Sequence, residues 1–186
     1  MSRGKRAMDI CALMLLAPLL SPVILAIAVA VFLDSPGPVF YRAKRIGRGG
    51  RPFEMLKFRT MRIGLAGRSL AGAGDPRITP LGRALRNSRL DELPQLWNVM
   101  RGEMSLVGPR PPLAYEVEQY QAWHCRRVRD AKPGITGLWQ VKGRSRTTFD
   151  EMVRLDLRYA KARSLWLDVK ILLATPRAVI GGKGAC

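Results

Sequence analysis

At 186 residues the chain is long enough for one domain with a real core, and its 47% hydrophobic content excludes a disordered polypeptide. The formal charge of +18, from 32 Lys and Arg against 14 Asp and Glu, points to anionic partners: nucleic acid, acidic lipid or phosphorylated small molecules. Three widely separated cysteines, Cys11, Cys125 and Cys186, form no disulfide framework or zinc spacing, and the single histidine, His124, leaves no His-based metal site, so chemistry falls to carboxylates and basic groups.

The first element is an uncharged run from Ile10 to Leu33. As a straight helix it would measure about 36 Å, enough for a hydrocarbon core of about 30 Å. Arg3, Lys5 and Arg6 precede it and Arg42, Lys44, Arg45 and Arg48 follow, so both flanks favour the cytoplasmic side. Ser21-Pro22, with Pro18 one turn earlier, marks a break near the middle. A single span and a re-entrant helix-break-helix both fit these features. A cleaved signal peptide fits less well, because the apolar run exceeds an ordinary h-region. The chain divides into a membrane-anchoring segment, 1–34, and a body, 35–186.

Ser35-Pro36-Gly37-Pro38 turns the chain into that body. Val39–Tyr41 and Pro52–Leu56 read as short strands of a hairpin around Gly47–Gly50. The basic cluster Arg42, Lys44, Arg45, Arg48, Arg51, Lys57, Arg59 and Arg62 suits lipid headgroups or a diphosphate, and the 57/59 spacing places Lys57 and Arg59 on one strand face. Residues 64–75, rich in Gly and Ala, read as a loop.

Thr79–Asn87 reads as a short helix. Ser88 resembles an N-cap for a second helix, with Asp91 three residues on and Leu90, Leu93, Trp97 and Met100 at helical spacing. The adjacent acids Asp91-Glu92 in that first turn are either dipole stabilisers or a pair of which one binds a hard cation or attacks phosphorus while the other orients it. Residues 102–112 read as loop, where Arg110 stands between prolines on a stiff backbone suited to phosphate oxygens, and Arg144 is a weaker candidate of the same kind. Helices are expected over Leu113–Asp130, Phe149–Lys161 and Leu165–Ile180, the last apolar enough to lie on a bilayer or to pack in a core. The fold class is α+β, mostly helical: a membrane helix-break-helix, a small β-hairpin and amphipathic helices at the interface.

Three long stretches, GPVFYRAKRIGRGGRPFEMLKFRTM, DPRITPLGRALRNSRLDELPQLWNVMRGEMSLVGPRP and KPGITGLWQVKGRS followed by LDLRYAKARSLWLDVKILL, make the chain similar to the bacterial sugar transferases that act as monotopic phosphoglycosyl transferases. The resemblance implies transfer of a sugar 1-phosphate from a UDP-sugar to undecaprenyl (polyprenyl) phosphate with release of UMP, an early membrane step of surface glycoconjugate assembly. It implies Mg²⁺ as cofactor, a location at the cytoplasmic face of the bacterial inner membrane, and a re-entrant helix broken at Ser21-Pro22. It implies Asp91 as the nucleophile of a covalent phosphosugar intermediate, Glu92 as its acid/base or metal-binding neighbour, and Lys57, Arg59, Arg110, Arg144 and Asp156 as phosphate- or nucleotide-site residues. The chain resembles the minimal catalytic form without an added transmembrane bundle, departing from the family in a 64–75 loop short of acidic residues and a tail that stops at Cys186. Anionic lipids are expected partners, nucleic acid is not, and a homodimer stays open. The competing reading is a basic, membrane-associated nucleic-acid- or lipid-binding protein without catalysis, for which no RNA-recognition, helix-turn-helix or zinc-finger pattern is present.

Overall fold

A computed structural model describes residues 3–64, 74–143 and 147–180. Arg144 and most of the expected 64–75 loop lie outside the described residues.

Helix α1, Arg3–Asp34, is one continuous element rather than two helices, with Pro18 and Pro22 inside it. Proline at 22 deprives the Pro18 carbonyl of its usual donor four residues on. The Ser21 hydroxyl donates to that carbonyl at 3.4 Å, so the ladder loses less than Pro22 alone would remove. α1 is the one helix among the described residues long and apolar enough to cross a membrane, with a mean hydropathy of 2.6 in its most apolar window.

Its two ends are seated and its middle is bare. Near the N-terminus Lys5 donates to Asp168 at 2.7 Å, and Asp9 accepts from the Ser105 hydroxyl at 2.8 Å and the Leu106 N–H at 3.2 Å. Leu13 joins a core with Met55, Val99, Met104, Val107, Tyr159 and Ile171. Near the C-terminus Val31 packs with Phe58 and Leu85 in a second core. Between these anchors residues 14–19 are exposed on every side.

Strands β1, Phe40–Ile46, and β2, Pro52–Phe58, form an antiparallel hairpin with Phe40 opposite Phe58 and Tyr41 opposite Lys57. The hairpin is expected from the sequence, but each strand is longer than its apolar run because the ladder continues through Arg42, Lys44 and Arg45, whose heads need not be buried.

Helix α2, Pro80–Ser88, begins at Thr79, whose hydroxyl accepts from the Gly82 N–H at 2.9 Å, with Pro80 in the first turn. Gly82 is required by contact: a Cβ there would overlap the Thr60 carbonyl oxygen. Ser88 does not cap the next helix. It ends α2, and its hydroxyl turns back to the Ala84 and Leu85 carbonyls at 2.9 and 3.1 Å. Arg89 then adopts a left-handed conformation (φ 60°, ψ 13°), a 3-10 turn covers Leu90–Glu92, and helix α3 runs only from Gln95 to Arg101.

The fully buried Asn98 docks α3 on the hairpin. Its amide donates to the Glu54 carbonyl at 2.7 Å and its carbonyl oxygen accepts from the Leu56 N–H at 2.9 Å, the edge groups of β2 that β1 leaves free. Two such bonds contribute on the order of 1 kcal/mol each and fix α3 one residue from Lys57.

The region 102–112 is not all loop. Strand β3, Ser105–Val107, pairs in parallel with β4, Gly134–Thr136. Each has three residues, too few for a period-2 pattern to register. Gly108 and Gly134 let the two backbones meet: a Cβ on Gly134 would overlap the Gly108 N–H. The expected helix 113–130 is two short helices, α4, Ala114–Glu118, and α5, Arg126–Asp130. Between them the Gln121 N–H donates to His124 Nδ1 at 3.1 Å, diverting the backbone from a helical ladder. α6 is Leu138–Lys142, α7 is Phe149–Ala162 behind a Thr148/Glu151 capping box, and α8 is Leu165–Ile180. α8 packs one side into the core and leaves apolar side chains on another. Asp168 and Ile171 are buried, while Leu165, Trp166 and Leu173 are exposed.

Candidate active site

The 3-10 turn places Asp91 and Glu92 against the end of β2, both carboxylates being nearly inaccessible at 6% and 7% exposure. Two buried acids side by side are costly unless cations accompany them. Three do. Lys57 Nζ is 2.8 Å from Glu92 Oε1 and 3.8 Å from Asp91 Oδ2. Arg110 Nη1 is 3.3 Å and Arg89 Nη1 3.8 Å from the same Glu92 oxygen.

The two acids are treated differently. Burial opposes ionisation of Glu92, but Arg110, Lys57 and Arg89 outweigh it and bring its pKa down to about 2. Burial dominates at Asp91 and raises its pKa, with Lys57 pulling the other way and Glu92 adding to the rise. Lys57 is itself lowered by burial, partly offset by Glu92. Glu92 is therefore a fixed anion neutralised by its neighbours. Asp91 is the more basic carboxylate, and its Oδ1 is buried without a hydrogen-bond partner among the described residues. A bare, desolvated carboxylate oxygen is the form suited to attack an electrophile or to ligate a hard cation.

A hard cation such as Mg²⁺ would find at this dyad one or two carboxylates and, within the described residues, no complete ligand cage. Among the described residues no group of three or more His, Cys, Asp or Glu side chains gathers, so a cation at the dyad would take one or two carboxylates here and its other ligands from phosphate and water.

Of the residues singled out in the sequence, Asp91, Glu92, Lys57 and Arg110 come together. Arg59 does not join them. The ladder reaches Arg59, whose N–H donates to the Val39 carbonyl at 2.9 Å, but its side chain is drawn to the end of α1 instead of to the dyad. The Arg59 guanidinium is buried and donates to the carbonyls of Pro36 (2.6 Å), Val31 (3.2 Å) and Ser35, closing the C-terminal end of α1. Asp156 is also outside the cluster. It is buried at 2% exposure against Arg127, Oδ2 to Nε 2.6 Å. Ser21 and Pro22 lie exposed in the middle of α1. Arg89 and Arg127 were not singled out in the sequence. The left-handed backbone that turns Arg89 toward Glu92 has no signature at a non-glycine residue, and Arg127 is 29 positions from its carboxylate partner.

The model of the family described as "Bacterial sugar transferase" matches residues 1–182. The chain is 46% identical over 181 residues to a UDP-glucose:undecaprenyl-phosphate glucose-1-phosphate transferase of Caulobacter vibrioides, covering 92% of this chain and 67% of that protein. It is 43% identical over 176 residues to galactosyl transferase CpsE of Streptococcus agalactiae, covering 84% of this chain and 39% of that protein. It is 42% identical over 190 residues to a UDP-N-acetylgalactosamine-undecaprenyl-phosphate N-acetylgalactosaminephosphotransferase of Aeromonas hydrophila, covering 97% of this chain and 44% of that protein. The chain thus spans less than half the length of the last two relatives.

Proposed function

The chain belongs to the bacterial sugar transferase family, and on that premise we propose that it moves a sugar 1-phosphate from a UDP-sugar to undecaprenyl phosphate through Asp91. The observation that carries this reading is the buried, unpartnered Asp91 Oδ1 beside a Glu92 already neutralised by Lys57, Arg110 and Arg89. The names of the Caulobacter and Aeromonas relatives share the UDP-sugar donor and undecaprenyl-phosphate acceptor while differing in the sugar.

In the first step the Asp91 carboxylate oxygen attacks the phosphorus nearer the sugar. The bond from that phosphorus to the bridging oxygen breaks, and UMP leaves with the bonding pair. In the second step an oxygen of undecaprenyl phosphate attacks the same phosphorus, the Asp91–phosphorus bond breaks, and the free carboxylate returns. An anionic nucleophile approaching a diphosphate is repelled unless cations stand behind it. Lys57, Arg110 and Arg89 supply that field, and their hold on Glu92 leaves the buried Asp91 Oδ1 without a hydrogen bond among the described residues. When bound by Asp91 and Glu92, Mg²⁺ would withdraw charge from the diphosphate oxygens. Two successive displacements let the soluble donor product leave before the lipid acceptor reacts.

The seating of α1 supports a re-entrant placement. Lys5, Asp9 and Leu13 at one end and Val31 at the other are held by one body, which favours both ends on the same side of the bilayer. The bare middle around Ser21-Pro22 is then the part inserted among lipid chains. Exposed Leu165, Trp166 and Leu173 of α8 suit the interface beside it. The basic flanks favour the cytoplasmic face.

The test is UMP release from a panel of UDP-sugars with undecaprenyl phosphate and Mg²⁺, paired with mass spectrometry of enzyme incubated with donor alone. The wild type carries a phosphosugar on Asp91. Asp91→Asn carries none and releases no UMP while still binding membranes. Wild-type turnover by Asp91→Asn refutes the nucleophile.

A further inference from the structure

The segment Pro109-Arg110-Pro111-Pro112 delivers Arg110 to Glu92, yet it belongs to no strand or helix. Its prolines donate no hydrogen bonds, so its carbonyls are the only backbone handles at three of its four positions. Each of the four successive carbonyls is taken by a different group. Pro109 O accepts from the Gly134 N–H at 2.9 Å, Pro111 O from Arg45 Nη1 at 3.4 Å, and Pro112 O from the Ile46 N–H at 3.0 Å. Arg110 O accepts from Arg127 Nη2 at 2.9 Å.

The bond at Arg110 differs from the other three in what it controls. A residue before proline is restricted to extended backbone, with ψ confined to roughly 120 to 160°. With ψ so confined, the direction of its carbonyl is tied to the orientation of its Cα. Holding the Arg110 carbonyl therefore sets how the Arg110 side chain leaves the backbone. Arg127 is built for such a hold. It is 4% exposed, Nε is anchored on Asp156 at 2.6 Å, and Nη1 donates to the Tyr120 hydroxyl at 2.9 Å. Asp156 comes from α7 and Arg127 from α5, so two helices are joined behind the loop. The Asp156 carboxylate also offsets the Arg127 charge, which would otherwise repel the neighbouring Arg110 guanidinium.

We infer that Arg127, anchored by Asp156, is a positioning residue that aims Arg110 at the diphosphate by holding its backbone carbonyl. This rests on the phosphosugar-transfer reading of the dyad and deepens it. Asp156 then acts two bonds removed from the substrate rather than as a ligand to it.

The experiment is a mutant cycle on UMP release, with kcat and KM for the donor measured in full-length protein. A single charge removed from a buried pair can unfold the chain, so the pair is replaced together, Arg127→Met with Asp156→Leu, which leaves no orphaned charge. Arg127→Lys serves as the second variant, since it keeps a cation beside Asp156 but cannot span both Asp156 and the Arg110 carbonyl. Thermal unfolding confirms that each variant is folded. In the wild-type background kcat/KM is expected to fall roughly 30- to 100-fold, the scale of a misplacement of about 1 Å. In an Arg110→Ala background the same replacement is expected to cost less than about threefold, because there is no longer a guanidinium to aim. An equal loss in both backgrounds, or no loss in the wild type, overturns the inference and leaves the dyad chemistry standing. Full turnover by Arg110→Ala alone refutes the placement of Arg110 in the site and the inference with it.

Discussion

Replacing Lys57 by Met removes one cation from the dyad while keeping the side chain's length. The ammonium lies 2.8 Å from Glu92 and 3.8 Å from Asp91, and only 16% of the Lys57 side chain is exposed. At an effective dielectric near 20 the two attractions are about 6 and about 4 kcal/mol before desolvation. Taking the ammonium out of water offsets several kcal/mol of that. Removing it leaves two buried carboxylates sharing Arg110 and Arg89, and unfolding free energy should drop by about 3 to 5 kcal/mol. On the proposed mechanism the charge loss also removes a cation from the field on the diphosphate, so kcat/KM should fall on the order of 100-fold or more. Urea unfolding in detergent micelles reads the first effect and UMP release the second. A stability loss below about 1 kcal/mol would refute the reasoning, because it would mean that Lys57 does not compensate the buried acids.

Arg59→Met uncaps the Val31, Ser35 and Pro36 carbonyls at the end of α1; it should lower stability by about 3 kcal/mol and leave the donor KM unchanged, and a raised KM with unchanged stability would return Arg59 to the site. Asp156 has its pKa pushed from 3.8 to about 6 by burial, against the pull of Arg127. The unfolded chain loses this proton before the folded one, so its contribution makes stability fall as pH rises through that window. Denaturation midpoints compared with Asp156→Asn, which cannot titrate, should show this slope in the wild type alone; parallel curves contradict it. In a background lacking native cysteines, Gly4→Cys and Asp34→Cys should both react with an impermeant thiol reagent from the cytoplasmic side only. Labelling of the two from opposite sides would show a true span in place of re-entry.

Much of the local structure was legible because its cause is local. Thr79-Pro80 starts α2, the Thr148/Glu151 box starts α7, and the strands turn at Gly47–Gly50. Asp91-Glu92 as the acidic centre was also accessible from residue type and motif, and so were Lys57, Arg59, Arg110 and Arg144 as phosphate-site candidates, of which Lys57 and Arg110 reach the dyad, Arg59 does not and Arg144 lies outside the described residues. The three-residue strands β3 and β4 were not, since their partners are 29 positions apart and neither is long enough to show a period. Ser88 misleads because a hydroxyl three residues before an acid suits an N-cap, whereas the left-handed turn at Arg89 ends α2 and leads into the 3-10 turn Leu90–Glu92.

An apolar, doubly basic-flanked first helix, a strongly cationic body and a carboxylate pair can be read from the residues in order, because these depend on composition and on neighbours along the chain. Which cation serves which acid follows from the packing of distant segments. That packing carried Lys57 and Arg110 to Glu92, left Asp91 Oδ1 bare, sent Arg59 to the carbonyls of α1 and gave Asp156 to Arg127. Those allocations depend on burial and on distances of a few ångströms between segments remote in the chain. The energy of a buried charge is set by what surrounds it in space, and no spacing in the sequence encodes that.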